Sequence, residues 1–408
     1  MKTVMIIGAA QEHCLGIERA AELGFEVFAV DGNPQAPGLA LAKASAVVST
    51  YDHEAALLAA RSHIASGGRI DGVMTLASDV PLTVAYVAEA LGLPGIGVES
   101  ARLASEKLLM KDCFLRHDIA MPAYAEARSP ADLLEFARQH GMPVVVKPVD
   151  SRGARGVQLI RSFEELESSH AVARQYSPTG RVMVESYLPG PQLSTEGYML
   201  DGKAHVPSIF DRNYERLELY APFIVEDGGE MPSLLAATHG PEVVDLMQRA
   251  ALALGIRNGV IKGDLVVHQG QVKIIELAAR MSGGFFGTLA APVANGVDLI
   301  GIGIRLAVGE RIDPAELQPR WQRGAAIRFA FPSCGVIGGI EGLERIRADG
   351  ACRYAHVFAQ VGDVIAPITN HPSRPAVVVA EGADAADAAR HAKRLMESLH
   401  WDVKGSQP

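Results

Sequence analysis

Two carboxylates flank a predicted β-hairpin about two thirds of the way along the 408-residue chain. Apolar runs before His268 and after Gln271 predict two strands, and Gly270 suits the turn between them. With a loop of residues 269–271, Asp264 faces Glu276 across the ladder, with Cβ atoms roughly 4.5–5.5 Å apart. Like charges at this spacing are destabilising unless a cation lies between them. Such oxygen ligands predict Mg²⁺ that carries phosphate, with two solvated carboxylates at a sheet edge as the alternative.

A basic residue and a glycine pair follow this hairpin at once. Arg280 lies four residues after Glu276, and Ser282, Gly283 and Gly284 come next. A guanidinium beside a metal-bound phosphate can neutralise the phosphoryl group. The backbone N–H groups of the glycine-rich stretch, with its two phenylalanines, would suit a small acyl group. We therefore expect Arg280 in a phosphate site and the three residues after Met281 next to substrate.

A strand of buried type, Pro143–Lys147, ends in a lysine, and a glycine-rich loop follows it. Burying an unpaired ammonium is costly, so an anionic ligand at the end of the strand would resolve the conflict. The loop contains Ser151, Gly153, Arg155 and Gly156, whose backbone N–H groups and charge suit phosphates. The segment therefore predicts a phosphate loop, and a flexible surface hairpin is the alternative.

Residues 101–117 are predicted to form one helix that carries Lys107 and Lys111 on one face. Lys107 is a candidate for a second phosphate contact, although most helix lysines are simply solvated. After a strand at residues 181–184, Glu185 and Gln192 could reach the amino group of a purine and ribose hydroxyls. The segment of Tyr187 and Leu188 between them could offer backbone groups, and a plain turn is the alternative.

Two further side chains are candidates for substrate contact. Arg212 could bind a substrate carboxylate bidentately, or it could lie on a solvated strand edge. Asp79 follows the predicted strand Gly72–Leu76, where parallel sheets place ligand contacts. Its alternative role is the N-cap of a helix that starts at Pro81.

The elements of the first hundred residues alternate between short strands and helices, which predicts a parallel, doubly wound sheet. The predicted strands are Val4–Ile7, Glu26–Val30 and Gly72–Leu76, and the predicted helices span residues 17–23, 54–65 and 81–91. The first turn, followed later by Asp31, is similar to a dinucleotide fingerprint. Ala10 and Glu12 stand where that fingerprint needs glycines, and a carboxylate repels a diphosphate. A nicotinamide or flavin oxidoreductase is therefore only an alternative.

The composition excludes several classes of protein. With 48% apolar and 21% charged residues, the chain has enough apolar residues for a packed core. A net charge of −9 without a basic face argues against nucleic acid as a partner. The four cysteines are scattered, which argues against a zinc site or disulfides, and no apolar run is long enough to span a membrane. We expect a cytoplasmic protein.

Taken in order, these segments resemble the ATP-grasp superfamily over nearly the whole chain, and within it the carboxylate–amine ligases, including L-amino acid ligases and purine-pathway ligases. The resemblance implies an N-terminal Rossmann-like domain of parallel sheet at residues 1–98, and a linker helix with the small ATP-grasp lobe at 99–185. It further implies the large lobe with the metal site at 186–315 and a small C-terminal α+β domain at 320–405. The expected fold class is therefore α/β combined with α+β.

The resemblance also implies roles for individual residues. Lys107 and Lys147 would bind the α- and β-phosphates of ATP, and the loop 151–156 would cover the β- and γ-phosphates. Glu185 and the backbone of Leu188 would bind adenine. The remaining roles fall to Asp264 and Glu276 as ligands of Mg²⁺ (or Mn²⁺), and to Arg280 at the transferring phosphoryl group.

Three positions depart from the family pattern. Gln192 stands where a ribose-binding Glu is usual, and Asp264 is shorter than the usual Glu. Ala278 replaces an Asn that many members place two residues after the second metal ligand. Water would then complete the metal shell.

The implied activity is activation of a carboxylate by ATP as an acyl phosphate, which an amine then attacks, with ADP and phosphate as products. The expected partners are small-molecule carboxylate and amine substrates, with a homodimer as a candidate assembly. The alternatives are an ATP-grasp enzyme that uses formate or bicarbonate, as in purine biosynthesis, and a non-catalytic ATP-binding regulatory protein.

Overall fold

A computed structural model describes residues 1–405 of the chain. The first unit is a parallel sheet in the order β3-β2-β1-β4, as the alternation of strands and helices predicted. All five residues of β1 are buried, which places this strand at the centre of the unit. The strands are β1 Thr3–Ile7, β2 Glu26–Asp31, β3 Ala44–Val47 and β4 Gly72–Met74, and the helices are α1 Gln11–Glu22, α2 Pro37–Leu41, α3 His53–Ala65 and α4 Pro81–Ala90.

The helix predicted over residues 101–117 is wrong, because the structure has two helices there, α5 Val98–Ser105 and α6 Lys107–Arg116. Glu106 separates them with an extended backbone, φ −106° and ψ 113°. No Gly or Pro marks this break in the sequence. The break makes Lys107 the first residue of α6.

The second sheet is antiparallel, in the order β5-β8-β6-β7. Its helix α7 begins with a capping box between Ser129 and Asp132 and with Pro130 in the first turn, which satisfies backbone N–H groups that a helix start leaves open. Buried Val144, Val146 and other apolar side chains pack it against its helices. The elements are β5 Tyr124–Ala127, α7 Pro130–His140, β6 Val144–Pro148, β7 Gln158–Ile160, α8 Leu166–Gln175 and β8 Val182–Ser186.

An eight-stranded sheet in the order β13-β12-β9-β10-β11-β14-β18-β16 forms the rest of the scaffold. It runs through both the predicted large lobe and the predicted C-terminal domain, since β11 pairs with β14. Its strands are β9 Gln192–Leu200, β10 Lys203–Asn213, β11 Gly228–Met231, β12 Gly259–His268, β13 Gln271–Ala278, β14 Gly324–Phe329, β16 Cys352–Val357 and β18 Ala376–Gly382.

Helices and a small sheet complete the fold. A three-stranded sheet in the order β17-β15-β19 lies in the C-terminal region. The elements are α9 Ala236–Ala253, α10 Ala291–Asn295, α11 Leu299–Ala307, β15 Gly335–Glu341, α12 Leu343–Arg347, β17 Val364–Ile365, α13 Ala385–Glu397 and β19 His400–Lys404. The combination of a parallel N-terminal sheet with mixed α+β units confirms the predicted fold class. No helix within residues 1–405 is long and apolar enough to cross a membrane.

Candidate active site

One cavity of about 650 Å³ brings the predicted site residues together. It is lined by residues of the N-terminal unit, of the sheet β5-β8-β6-β7, of the eight-stranded sheet with its loops, and of the C-terminal region. The predicted residues that line it are Asp79, Lys107, Lys147, Ser151, Gly153, Arg155, Glu185, Tyr187, Leu188, Gln192, Arg212, Asp264, Glu276, Arg280, Ser282, Gly283 and Gly284. Gly156 is the predicted residue outside this lining. A Cβ on Gly156 would lie 2.9 Å from Cβ of Tyr176, so glycine lets the loop end pack closely there.

Asp264 and Glu276 are directly opposed across β12 and β13, as predicted, but by a different register. The hairpin loop has two residues, Gln269 and Gly270, both with positive φ (51° and 77°), which is typical of a tight hairpin turn. With this two-residue loop alone, Asp264 would face residue 275 instead of Glu276. A β-bulge at residue 275 restores the opposition.

The chain itself supplies cations to the first of these acids. Nη1 of Arg212 lies 2.9 Å from Oδ1 of Asp264, and Nζ of Lys262 contacts Oδ2. Burial alone would raise the pKa of Asp264, but these two cations outweigh it and lower the pKa to about 2. The cations that the like-charge argument requires are therefore present in the chain itself, so the opposed acids are not by themselves evidence for a metal ion.

The second acid is weakly paired. The nearest cation to Glu276 is Nζ of Lys107, at 4.0 Å. Oδ1 of Asp264 has no hydrogen bond of acceptable angle within residues 1–405, despite its distance to Arg212. A carboxylate oxygen that is ion-paired but accepts no hydrogen bond, opposite a weakly paired carboxylate, fits a divalent cation that is also held by phosphate. No group of three His, Cys, Asp or Glu side chains in that part of the chain could hold a metal ion, so water and phosphate would complete the shell.

Lys147 is not left without a partner at the end of β6. Its Nζ lies 2.5 Å from Oε2 of Glu185, and Nζ of Lys111 lies 2.7 Å from Oε1 of the same carboxylate. The expectation that an anionic ligand is needed to balance Lys147 is therefore wrong. Burial would raise the pKa of Glu185, but the two lysines lower it to about 2.

Leu188, three residues after Glu185, makes no backbone hydrogen bond within residues 1–405, which leaves its N–H and C=O open.

The glycine-rich loop is held at several points. Nζ of Lys107 donates to the carbonyl of Ser151 at 3.0 Å, and the N–H of His371 donates to the carbonyl of Gly153 at 3.0 Å. The guanidinium of Arg152 lies 4.1 Å from the ring centroid of Tyr51. The loop thus contacts both the N-terminal unit and the C-terminal region. β6 and β7 do form a hairpin around it, but these contacts argue against the alternative of a flexible surface hairpin.

Asp79 contacts the predicted phosphoryl arginine. Nε of Arg280 lies 3.3 Å from Oδ1 of Asp79, and Nη1 donates to the carbonyl of Met281 at 2.8 Å. Burial would raise the pKa of Asp79, but Arg280 and Lys107 lower it. The alternative role as a helix N-cap is wrong, since Val80 is the N-cap of α4 and makes no capping side-chain bond.

The side chain of Arg212 is only 12% exposed, so the solvated strand edge is wrong for it. Its Nε and Nη2 both bind Oε2 of Glu226, at 2.6 and 2.5 Å, while Nη1 faces Asp264. A bidentate contact with a substrate carboxylate would require these pairs to open. Substrate contact by Arg212 therefore stays a prediction, with its own carboxylates as competitors.

The backbone of the glycine-rich stretch is also occupied. The N–H groups of Gly284 and Phe285 donate to Glu12, at 3.0 and 2.9 Å, and that of Ser282 donates to Glu196 at 3.1 Å. An acyl group would have to displace these bonds, whereas the N–H of Gly283 makes no hydrogen bond within residues 1–405, so substrate contact at this stretch stays a prediction. Burial raises the pKa of Glu12, and it raises that of Glu196 to about 7.

Sequence reasoning assigned no role to several charged residues in or next to the site: Glu12, Lys111, Glu196, Glu226, Lys262, His371 and Arg374. Lys262 was detectable, because it lies two residues before Asp264 on the same face of a strand. Glu12 was noticed only as an obstacle to diphosphate. Arg374 comes from a distant segment and reaches Glu226, with Nη1 2.9 Å from its carbonyl, which no local pattern indicates.

Three family models match the chain: the ATP-grasp N-terminal domain at residues 17–95, the ATP-grasp domain at 140–289 and the L-amino acid ligase C-terminal domain 2 at 328–404. The chain belongs to the ATP-grasp superfamily. Enzymes of this superfamily use ATP together with Mg²⁺ or Mn²⁺.

Individual relatives agree with this assignment. A D-alanine–D-alanine ligase of Gloeobacter violaceus is 33% identical over 46% of this chain and 63% of that protein, so the match spans less than two thirds of the relative. A phosphoribosylamine–glycine ligase of Vibrio parahaemolyticus is 24% identical over 98% of this chain and 95% of that protein. The crystal structure of an L-amino acid ligase from Bacillus licheniformis has a TM-score of 0.85 at 22% identity and covers 99% of both chains, which shows a shared fold.

The N-terminal sheet of this ATP-grasp protein offers little to a dinucleotide. The carboxylate of Asp31 accepts the N–H groups of Ala9 at 2.7 Å and Asn33 at 2.8 Å, so it is engaged where a ribose would bind. The carboxylate of Glu12 accepts the N–H of Gly284 at 3.0 Å and is engaged as well. The oxidoreductase alternative is therefore disfavoured.

Proposed function

We propose that the protein is an ATP-dependent ligase that activates a carboxylate as an acyl phosphate and joins it to an amine, with ADP and phosphate as products. The observation that supports this most is the meeting of two phosphate-type lysines, a glycine-rich loop, an acidic pair and Arg280 in one cavity. An amino acid or another small hydrophilic molecule is the expected substrate. A homodimer stays a prediction.

The nucleotide would lie between the sheet β5-β8-β6-β7 and the eight-stranded sheet. Lys107 and Lys147 are proposed to bind the α- and β-phosphates, and the loop 151–156 to cover the β- and γ-phosphates. The open backbone groups of Leu188 support adenine binding at that segment, and Gln192 is proposed to bind the ribose. Glu185 is shared by two lysines, so its side chain is less available to adenine than the open backbone of Leu188.

Asp264 and Glu276 are the residues that would hold Mg²⁺ against the phosphates. When bound there, Mg²⁺ supplies positive charge that offsets the charge of the β- and γ-phosphates. Arg280 would meet the γ-phosphoryl group, since Asp79 and the carbonyl of Met281 fix its guanidinium on the cavity wall. Fixed cations of this kind lower the barrier because they need no reorganisation during transfer.

The chemistry needs activation and a dry site. A carboxylate is a poor electrophile for an amine, and transfer of the γ-phosphoryl group gives it a good leaving group. Water would hydrolyse the acyl phosphate, so exclusion of water is required. The loop 151–156 and the segment 210–232 are proposed to exclude water. The segment 210–232 already contacts β7, since the N–H of Leu159 donates to the carbonyl of Pro222 at 2.7 Å. No protein nucleophile is expected.

A screen for acid-dependent ATP turnover tests the proposal. The protein is incubated with Mg²⁺ and ATP against a panel of amino acids and other small carboxylates, each with and without amines, and free phosphate is measured. We expect turnover that depends on one acid and is increased by one class of amine, and the variant Glu276→Gln is the inactive control. Activity with bicarbonate or formate alone would favour the purine-type alternative. ATP turnover that depends on neither the acid nor the amine would contradict the proposal.

A further inference from the structure

Lys111 is a charged residue of the site region that does not itself line the cavity. It lies one helical turn after Lys107 on α6, and it is 1% exposed, whereas Lys107 lines the cavity wall. Its Nζ lies 2.7 Å from Oε1 of Glu185, which is its salt-bridge partner within residues 1–405. Burying an ammonium is costly, so its retention at this position needs a reason.

Glu185 divides its charge between two lysines. Its second oxygen, Oε2, lies 2.5 Å from Nζ of Lys147, and Lys147 lines the cavity. The three side chains together have one net positive charge when all are ionised. Without Lys111, the remaining pair of Lys147 and Glu185 would be neutral, and its attraction for an anion in the cavity would be weaker.

The stability of the fold alone does not account for a charged side chain at position 111. A buried ion pair rarely stabilises more than apolar side chains of similar volume, and an apolar residue at position 111 would avoid the desolvation of the ammonium. The arrangement thus favours a role for Lys111 in the electrostatics of the cavity.

We propose that Lys111 is a positioning residue for polyphosphate. By sharing the charge of Glu185, it leaves Lys147 with an unneutralised positive charge that faces the phosphates of the nucleotide. This inference rests on the proposed function, because it assumes that a nucleotide binds in the cavity. It extends that function to a residue that need not touch the ligand.

Calorimetric titration with MgADP and with adenosine tests the role, since the two probes differ in phosphate. Lys111→Met should weaken ADP binding about tenfold, while adenosine binding changes by less than about twofold. Lys111→Arg keeps the charge and should keep most of the ADP affinity. Lys393→Met is the matched control, because Lys393 lies exposed on α13 and does not line the cavity.

A double variant separates charge from shape. Lys111→Met with Glu185→Gln has the same net charge as the native set, so the ratio of ADP to adenosine affinity should return towards the native value. Unchanged ADP binding in Lys111→Met, equal losses for ADP and adenosine, or no recovery in the double variant would each overturn the inference. Thermal melting checks folding, and Lys111→Gln is the second neutral variant if Lys111→Met does not fold.

The native protein separates the two hypotheses. If it binds no ADP, both the proposed function and this inference fail. If it binds ADP and Lys111→Met binds it equally well, only the role of Lys111 fails.

Discussion

Asp264→Asn should destabilise the protein far more than Glu276→Gln, although the two acids face each other on neighbouring strands. The reason is their unequal pairing. Asp264 contacts Arg212 and Lys262, whereas the nearest cation to Glu276 is Lys107 at 4.0 Å. Neutralising Asp264 leaves two cations of low exposure with one fewer counter-charge, and neutralising Glu276 removes almost no pairing.

The magnitude follows from the pKa of Asp264 and from its burial. Its pKa falls from 3.8 to about 2, which corresponds to about 2.5 kcal/mol of preferential interaction with the ionised form. Removing one partner of a buried ion pair costs about 3–5 kcal/mol, and the side chain of Asp264 is 17% exposed, which favours the lower end. We therefore expect a loss of about 3 kcal/mol for Asp264→Asn, against less than about 1 kcal/mol for Glu276→Gln.

Urea unfolding followed by circular dichroism in Mg²⁺-free buffer measures the difference in stability. Activity is measured separately with Mg²⁺ and ATP, where both variants should lose at least about 100-fold in turnover if both acids hold the metal. Equal losses of stability in the two variants would refute the pairing argument. Near-normal Mg²⁺-dependent turnover of a folded Glu276→Gln would refute the metal assignment.

The remaining predictions concern binding, products and pH. Lys147→Met should lower the calorimetric affinity for ATP, whereas Arg280→Met should leave that affinity mostly intact and lower the turnover; the same binding defect in both variants would contradict this division. Chromatography of the spent nucleotide should show ADP, and AMP as the coupled product would exclude an acyl phosphate. Burial raises the pKa of Glu196 from 4.5 to about 7, so the folded state retains a proton that the unfolded state loses. Stability should therefore fall by up to about 3 kcal/mol as the pH rises from about 4.5 to 7, and Glu196→Gln should remove that dependence in thermal melts; an unchanged pH profile would contradict it.

Much of the fold was predictable from periodicity. The strands and helices of the N-terminal sheet follow the alternation of short apolar runs with helical spacing, and burial of β1 on both faces agrees with its uninterrupted apolar sequence. The helix break at Glu106 was not predictable, because no Gly or Pro stands there and the backbone conformation depends on packing.

The hairpin shows how a correct conclusion can rest on a wrong register. Asp264 and Glu276 were predicted as a pair from a three-residue loop, while the structure combines a two-residue loop with a bulge at residue 275. Loop length and bulge each shift the register by one residue, and the shifts cancel for these two acids. The position of a bulge cannot be read from the apolar pattern of this strand, since the extra residue is of the same apolar type as the residue before it.

Apolar periodicity and turn residues predicted most of the strands, helices and loops, apart from the helix break at Glu106, and so located the strand ends and the glycine-rich loop. Which charges meet depends on how the elements pack against one another. Lys111 and Lys147 share Glu185, and Arg212 joins Glu226 to Asp264, across separations that no local pattern records. The physical reason is that apolar periodicity reflects the nearest turn or strand, whereas a buried charge is balanced by whichever opposite charge folding brings within a few ångströms.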